Sequence, residues 1–207
     1  MEPAAELADY RRRVILLHLA EPTAGEAGVA DFRRRRDQLF RDHPQSALTG
    51  SQRDAFRGLS YFDYDPEAVV RTRLESPAGG DPLEIDTGGE DGVIRYSRVG
   101  LLPTRYGALT LYWMKGYGGG LFLAFRDATA GVETYGAGRY LTDTAKGTLG
   151  RGVELDASTG EAVLDFNYAY NPSCAYDARW ACPLAPPENR LEQPVRAGER
   201  SFPGAAH

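Results

Sequence analysis

From residue 68 onward the chain breaks into short β-prone segments, near 69–75, 83–87, 93–99, 109–115, 121–125, 132–141, 152–156 and 162–170. Gly, Pro, Asp or Asn falls between most neighbours. β-branched and aromatic residues at this spacing read as antiparallel strands joined by hairpins. A parallel doubly wound sheet needs a helical crossover between strands, and no amphipathic helix of useful length interrupts the run. The expectation is an α+β, β-dominated chain with an antiparallel β-barrel-like core, its helices confined to the N-terminus.

Those helices are visible in the first 60 residues. Leu7, Tyr10, Val14 and Leu17 recur on one stripe of a helix over 4–20, and the Glu-Pro-Thr-Ala-Gly run at 21–25 ends it. A second helix over 28–42 turns Phe32, Leu39 and Phe40 inward and Arg33, Arg34 and Arg35 toward solvent, with Pro44 closing it. Ser51 followed by Asp54 reads as a variant capping box that opens a short helix holding Phe56 and Leu59. A length of 207 residues suits one hydrophobic core. Residues 1–30 therefore read as a helical extension, 31–200 as a single β-rich domain and 201–207 as a loose tail.

A formal charge of −5 and a pI near 5.3 argue against nucleic-acid binding, which needs a basic face to displace counterions. A small organic molecule is the expected partner. Glu2, Glu6 and Asp9 precede a short apolar run at 14–17, unlike a secretory signal, and no stretch reaches the ~20 apolar residues of a membrane span. The expectation is a cytoplasmic protein without membrane association, in which Cys174 and Cys182 are structural thiols.

Two segments carry the candidate chemistry. Strand geometry over 132–141 puts Glu133, Tyr135 and Arg139 on one face, opposite Gly136 and Gly138, which suggest a bend or a close backbone approach. Over 162–170 it puts Asp165 and Asn167 on one face and Phe166, Tyr168 and Tyr170 on the other. If both polar faces share the barrel interior, the cavity needs a ligand or a complete hydrogen-bond network. Glu133 or Asp165 then serves as general acid or base and Tyr135 as proton donor. Arg139 anchors an anionic or carbonyl group, while Asn167, Tyr170 and Asn171 orient the substrate. The bland alternative makes Glu133 and Arg139 a solvated face.

No cofactor is expected. The glycine run at 116–120 is followed by a strand pattern rather than a helix, and Gly-x-Ser-x-Gly does not occur. Cys174 and Cys182 stand too far apart for a zinc knuckle, so a metal would need distant ligands such as His43, Asp165 or Glu188. The reaction class left is cofactor-free acid–base chemistry: isomerisation, cyclisation, elimination or hydrolysis. A non-catalytic metabolite-binding barrel and a structural or assembly role, including a homo-oligomer packed through the extension, are the alternatives.

Four blocks resemble an uncharacterised bacterial and archaeal family catalogued as domain of unknown function 1684. They are 32–48 with Arg33, Arg36, Asp37, Phe40 and Ser46, then 56–62, 127–141 and 165–191. Ala47 and Ala130 depart from the Pro and Ser expected there. The resemblance spans about 31–199 and implies a site shared by the polar positions of the last two blocks, with no assigned activity.

Overall fold

The computed structural model describes residues 3–19, 25–76, 79 and 82–203; the connection at 21–24 and the end of the tail at 204–207 lie outside it. Helices α1 (Pro3–Leu19), α2 (Gly25–Asp42) and α3 (Gly50–Ala55) precede all the strands. The cap of α3 is Thr49, two residues before the expected Ser51: its hydroxyl accepts from the Gln52 amide while Gln52 Oε1 accepts from the Thr49 N–H. Gln52 also donates to the Tyr176 carbonyl at 2.9 Å, a tertiary contact that the Ser51–Asp54 register would forfeit. Arg33 is likewise half-buried rather than solvated, donating to the Phe62 carbonyl at 2.8 Å.

The strands are β1 (Val69–Arg73), β2 (Leu83–Asp86), β3 (Val93–Thr104), β4 (Gly107–Lys115), β5 (Gly120–Phe125), β6 (Arg139–Asp143), β7 (Val153–Leu155) and β8 (Glu161–Asp165). They form a curled five-stranded half-barrel sheet in the order β2-β3-β4-β5-β6 and a three-stranded sheet in the order β1-β8-β7, with antiparallel ladders throughout. Just past β1, a bridge between Glu75 and Leu101 links that strand's end to β3. Among the described residues no helix is long and apolar enough to cross a membrane.

Side-chain alternation explains the layering. Leu109 and Leu111 of β4 and Leu123 and Phe125 of β5 face the three-stranded sheet, where they meet Ala162, Leu164 and Phe166 in the main core. The intervening Tyr112, Phe122 and Ala124 face the other way and pack with Tyr96, Tyr140 and Tyr170. The half-barrel thus buries both faces, the second under the chain that follows Tyr170. Helices α1 and α2 dock around that segment, Leu17 and Phe32 in one cluster with Tyr168 just before it and Phe40 against Tyr176 within it.

Two expected strands are shorter than the alternation suggested. Residues 132–138 form turns, and β6 begins only at Arg139. Gly131 (φ +81°) and Gly138 (φ +99°) adopt left-handed backbone that a ladder strand does not use. A Cβ on Gly138 would stand 2.5 Å from the Phe125 carbonyl oxygen, the close approach the glycines foretold. In the other segment β8 stops at Asp165, whose carboxylate caps a tight turn at Phe166–Tyr168.

Where β4 and β5 diverge, a side chain fills the ladder. Asn189 Oδ1 accepts from the Thr110 N–H at 2.7 Å, and its Nδ2 donates to the carbonyls of Thr110 and Ala124, both at 2.9 Å. The residue is fully buried, so truncating it strands backbone groups away from water. Asn189→Ala is expected to lower unfolding free energy by about 3 kcal/mol, read as a shifted urea midpoint. A loss below about 1 kcal/mol would show that the strands re-pair without it.

Candidate functional site

The residues expected to share one interior are dispersed. Between the sheets lie the apolar side chains of the main core. Glu133 turns outward and pairs with Arg196 at 2.9 Å on the surface. The Tyr135 hydroxyl donates to Cys174 Sγ at 3.7 Å. Asp165 accepts from both the backbone N–H and the side-chain Nδ2 of Asn167 at 2.9 Å, and Asn167 in turn grips the backbone of Asp65. That pair ties the start of β1 to the end of β8.

Arg139 serves the chain's own backbone. It is 1% exposed, with Nη2 on Asp127 Oδ2 at 2.7 Å and on the Val195 carbonyl at 2.8 Å, and Nη1 on the carbonyls of Ala197 and Glu199. A guanidinium so engaged has no terminal donor to spare for a ligand. The alternation that placed it beside Glu133 came from a loop and not from a strand.

Tyr170 and Asn171 do line a cavity, of about 100 Å³, between the helices and the far face of the half-barrel. Tyr10, Val14, Leu17 and His18 of α1 and Arg36, Leu39 and Phe40 of α2 roof it. Tyr140 and Asp143 at the end of β6, Thr148, and Ser173 and Tyr176 wall it below. The tight turn Thr144–Lys146 brings Lys146 to the same rim.

Its polar groups are arranged asymmetrically. Thr148 Oγ1 accepts from the Asp143 N–H at 2.6 Å and from the Tyr170 hydroxyl at 3.1 Å, which leaves its own proton to donate. Asn171 donates to the Arg200 carbonyl at 2.8 Å, an orientation that fixes its Oδ1, and that buried oxygen has no partner among the described residues. Neither has His18 Nδ1. Burial, reinforced by the cations of Arg36 and Arg151, pulls His18 down to about 3, so the imidazole is neutral. Burial pushes the Asp143 carboxyl above its ordinary value, and Lys146 only partly opposes it.

Arg36 completes the roof. Burial alone would weaken its charge, but Glu199 and the phenols of Tyr61 and Tyr176 hold its pKa well above the ordinary value. Its Nη1 reaches Glu199 Oε2 at 2.9 Å and the Tyr61 hydroxyl at 2.8 Å, and Nη2 reaches the Tyr176 hydroxyl at 3.1 Å. The sequence reading left Arg36 and Asp143 out of the site. Helical spacing carried a signal for Arg36, which stands four residues after Phe32 and three before Leu39 on the buried stripe. Asp143 ends an ordinary-looking strand and carried none. Among the described residues no group of three or more His, Cys, Asp and Glu is placed to hold a metal ion.

Two measurements separate structural from site residues. Arg139→Met leaves the buried Asp127 without its cation, with only the Thr129 and Val195 donors on Oδ1, and is expected to cost about 3–5 kcal/mol of stability in chemical denaturation. A near-neutral result would mean that the C-terminal segment is held by other contacts. For Asp143 the native state binds the proton more tightly than the unfolded chain. The stability it contributes is present below the carboxylate value of 3.8 and lost as pH rises through the raised folded value. Asp143→Asn is therefore expected to raise the urea midpoint near pH 8 and to leave it little changed near pH ~3.5. Equal midpoints at both pH values would place the carboxyl in contact with solvent.

A family model described as "Protein of unknown function (DUF1684)" matches residues 54–200. This stretch takes in the 56–62, 127–141 and 165–191 blocks and leaves out 32–48. No curated protein matches the chain. Among solved structures, the solution NMR structure of an uncharacterized protein from Haloarcula marismortui is 35% identical, covering 84% of this chain and 93% of that one, with a TM-score of 0.57.

Proposed function

The chain belongs to the DUF1684 family, a description that carries no activity, and from the pocket we propose that it binds a compact polar organic molecule and turns it over by cofactor-free proton transfer. The observation that carries this reading is the buried Asn171 Oδ1, left without a partner on the wall of a cavity. A buried acceptor costs free energy unless something donates to it. A ligand with an O–H or N–H group offsets that cost, and the Thr148 hydroxyl donates to an acceptor on the same molecule. A hydroxy acid or a small amide has both groups.

Size narrows the choice. The cavity of about 100 Å³ is well below the roughly 300 Å³ of a typical drug-sized site, and suits a ligand of a few heavy atoms. Asp143 is the proton carrier, a carboxyl on the pocket wall whose pKa burial raises above its ordinary value. Tyr170 and Thr148 hold the approach to it, and Asn171 orients the ligand. Isomerisation, elimination and hydrolysis all fit such a site, and two free thiols suit a reducing, cytoplasmic setting for it.

The test starts from native mass spectrometry of the purified chain, followed by ligand-observed NMR against hydroxy acids and amides of fewer than about ten heavy atoms. Asn171→Ala is expected to weaken a binder about tenfold. Asp143→Asn is expected to keep binding while abolishing solvent-deuterium incorporation next to the ligand carbonyl. Binding without exchange in the wild type would leave a metabolite-binding protein, and the absence of any binder would remove the site.

A further inference from the structure

A second cavity, of about 520 Å³, lies on the outer face of the three-stranded sheet, where β1, β8 and β7 meet the end of α1 and the start of α2. His18 lines both this cavity and the pocket under the helices. The strand period decides which side chains face it. Val70, Val153, Ala162 and Leu164 turn into the main core, so Val69, Arg71, Glu154, Val163 and Asp165 turn outward. Val163 is paired with Arg71 on one side and with Glu154 on the other, which sets an arginine, a valine and a glutamate in one row across the sheet. Two strand spacings put the ends of that row roughly 10 Å apart, and side chains on one sheet face stand nearly parallel.

The fold leaves the charges at the two ends unused. Arg71 and Glu154 are exposed and have no hydrogen bond or ion pair among the described residues. One row along, by contrast, Arg73 donates to the Thr159 carbonyl at 2.8 Å. Asp165 stands on the acidic side of the cavity, where its Oδ1 accepts both hydrogen bonds from Asn167 and its Oδ2 is left for another donor. Burial raises the Asp165 carboxyl above its ordinary value and the Glu154 charge adds to the rise, a repulsion that a cation between the two relieves. Val69 and Val163 form an apolar floor between the charged ends. Tyr64 and Tyr168 wall it, the latter with its hydroxyl held by Arg151 at 2.8 Å, and Leu19 stands 55% exposed at the rim.

We propose that this cavity binds a zwitterionic amino acid with an apolar side chain. Its carboxylate lies on Arg71, its ammonium between Glu154 and Asp165, and its side chain over Val69 and Val163 against Tyr64. Two charge-assisted hydrogen bonds of about 2.8 Å take up roughly 6 Å of the row, leaving about 4 Å for the reach from ammonium to carboxylate within the ligand. An α-amino acid has that reach. A molecule carrying only one of the charges would leave the opposite end of the row unmatched. Binding here does not depend on what the pocket under the helices holds.

Calorimetric titration of the full-length chain with L-phenylalanine and L-leucine tests the proposal, with 3-phenylpropanoate and phenylalaninamide as probes that each lack one charge. Saturable binding of an amino acid is expected, with either single-charge probe about tenfold or more weaker. Arg71→Met and Glu154→Gln change exposed side chains that hold nothing in the fold, and each is expected to weaken amino-acid binding about tenfold. Arg71→Met is expected to leave phenylalaninamide unaffected, since that probe has no carboxylate to lose. Glu154→Gln is likewise expected not to weaken 3-phenylpropanoate, which has no ammonium. A chain that takes up neither amino acid, binds the single-charge probes equally well, or keeps its affinity through both substitutions would overturn the proposal. Loss of amino-acid binding in Asn171→Ala would also overturn it, by moving the ligand to the other pocket.

Discussion

Glu199 is the residue on which the two parts of the molecule meet. Its carboxylate takes hydrogen bonds from Arg36 of α2, from the Tyr176 hydroxyl and from the Asn171 N–H, while its backbone carbonyl takes one from Arg139 of β6. Two buried arginines, one from the helices and one from the half-barrel, are thereby satisfied by a single residue that is 1% exposed. Buried cations of this kind are tolerable only when nearly every donor is engaged, since the desolvation penalty per ion is several kcal/mol. Here the Tyr61 and Tyr176 hydroxyls, the Asp127 carboxylate and the carbonyls of Val195 and Ala197 supply the remaining acceptors.

That constraint explains the position of the cavity. The segment at 195–200 lies against the turn at Phe166–Tyr168, where Gly198 (φ +76°) lets its backbone come within 2.7 Å of the Phe166 oxygen, measured from the Cβ that any other residue would carry. Held there, it positions Asn171 through the Arg200 carbonyl and the Glu199 carboxylate, and neither contact uses the Asn171 oxygen. A rigid ionic scaffold behind the wall keeps an unpaired acceptor in front of it, as preorganised sites require.

The fold was legible because its signals are local. Period-two alternation between glycine and proline breaks marked the strands, and the stripe of Phe32, Leu39 and Phe40 marked the buried face of α2. Of the residues expected in a shared interior, Tyr170 and Asn171 line the pocket under the helices. Glu133 and Arg139 were misplaced because the loop at 132–138 mimics strand alternation in sequence, although Gly131 and Gly138 already spoke against a regular ladder. Asp143, Thr148 and Glu199 were invisible because their roles come from contacts between segments distant in the chain. A single sequence carries no trace of a hydrogen bond from Arg36 to Glu199.

The placement of Glu199 also bears on how the chain is made. Translation delivers α2 and β6 long before residues 195–199, so Arg36 and Arg139 emerge ahead of the Glu199 carboxylate and the 195–199 carbonyls that complete their hydrogen bonding. Until those residues arrive, burying either arginine is costly, and the helices cannot settle on the half-barrel in their final arrangement. Completion of the tertiary structure is therefore tied to the arrival of residues 195–199, with the sheets as a scaffold that waits for its lock.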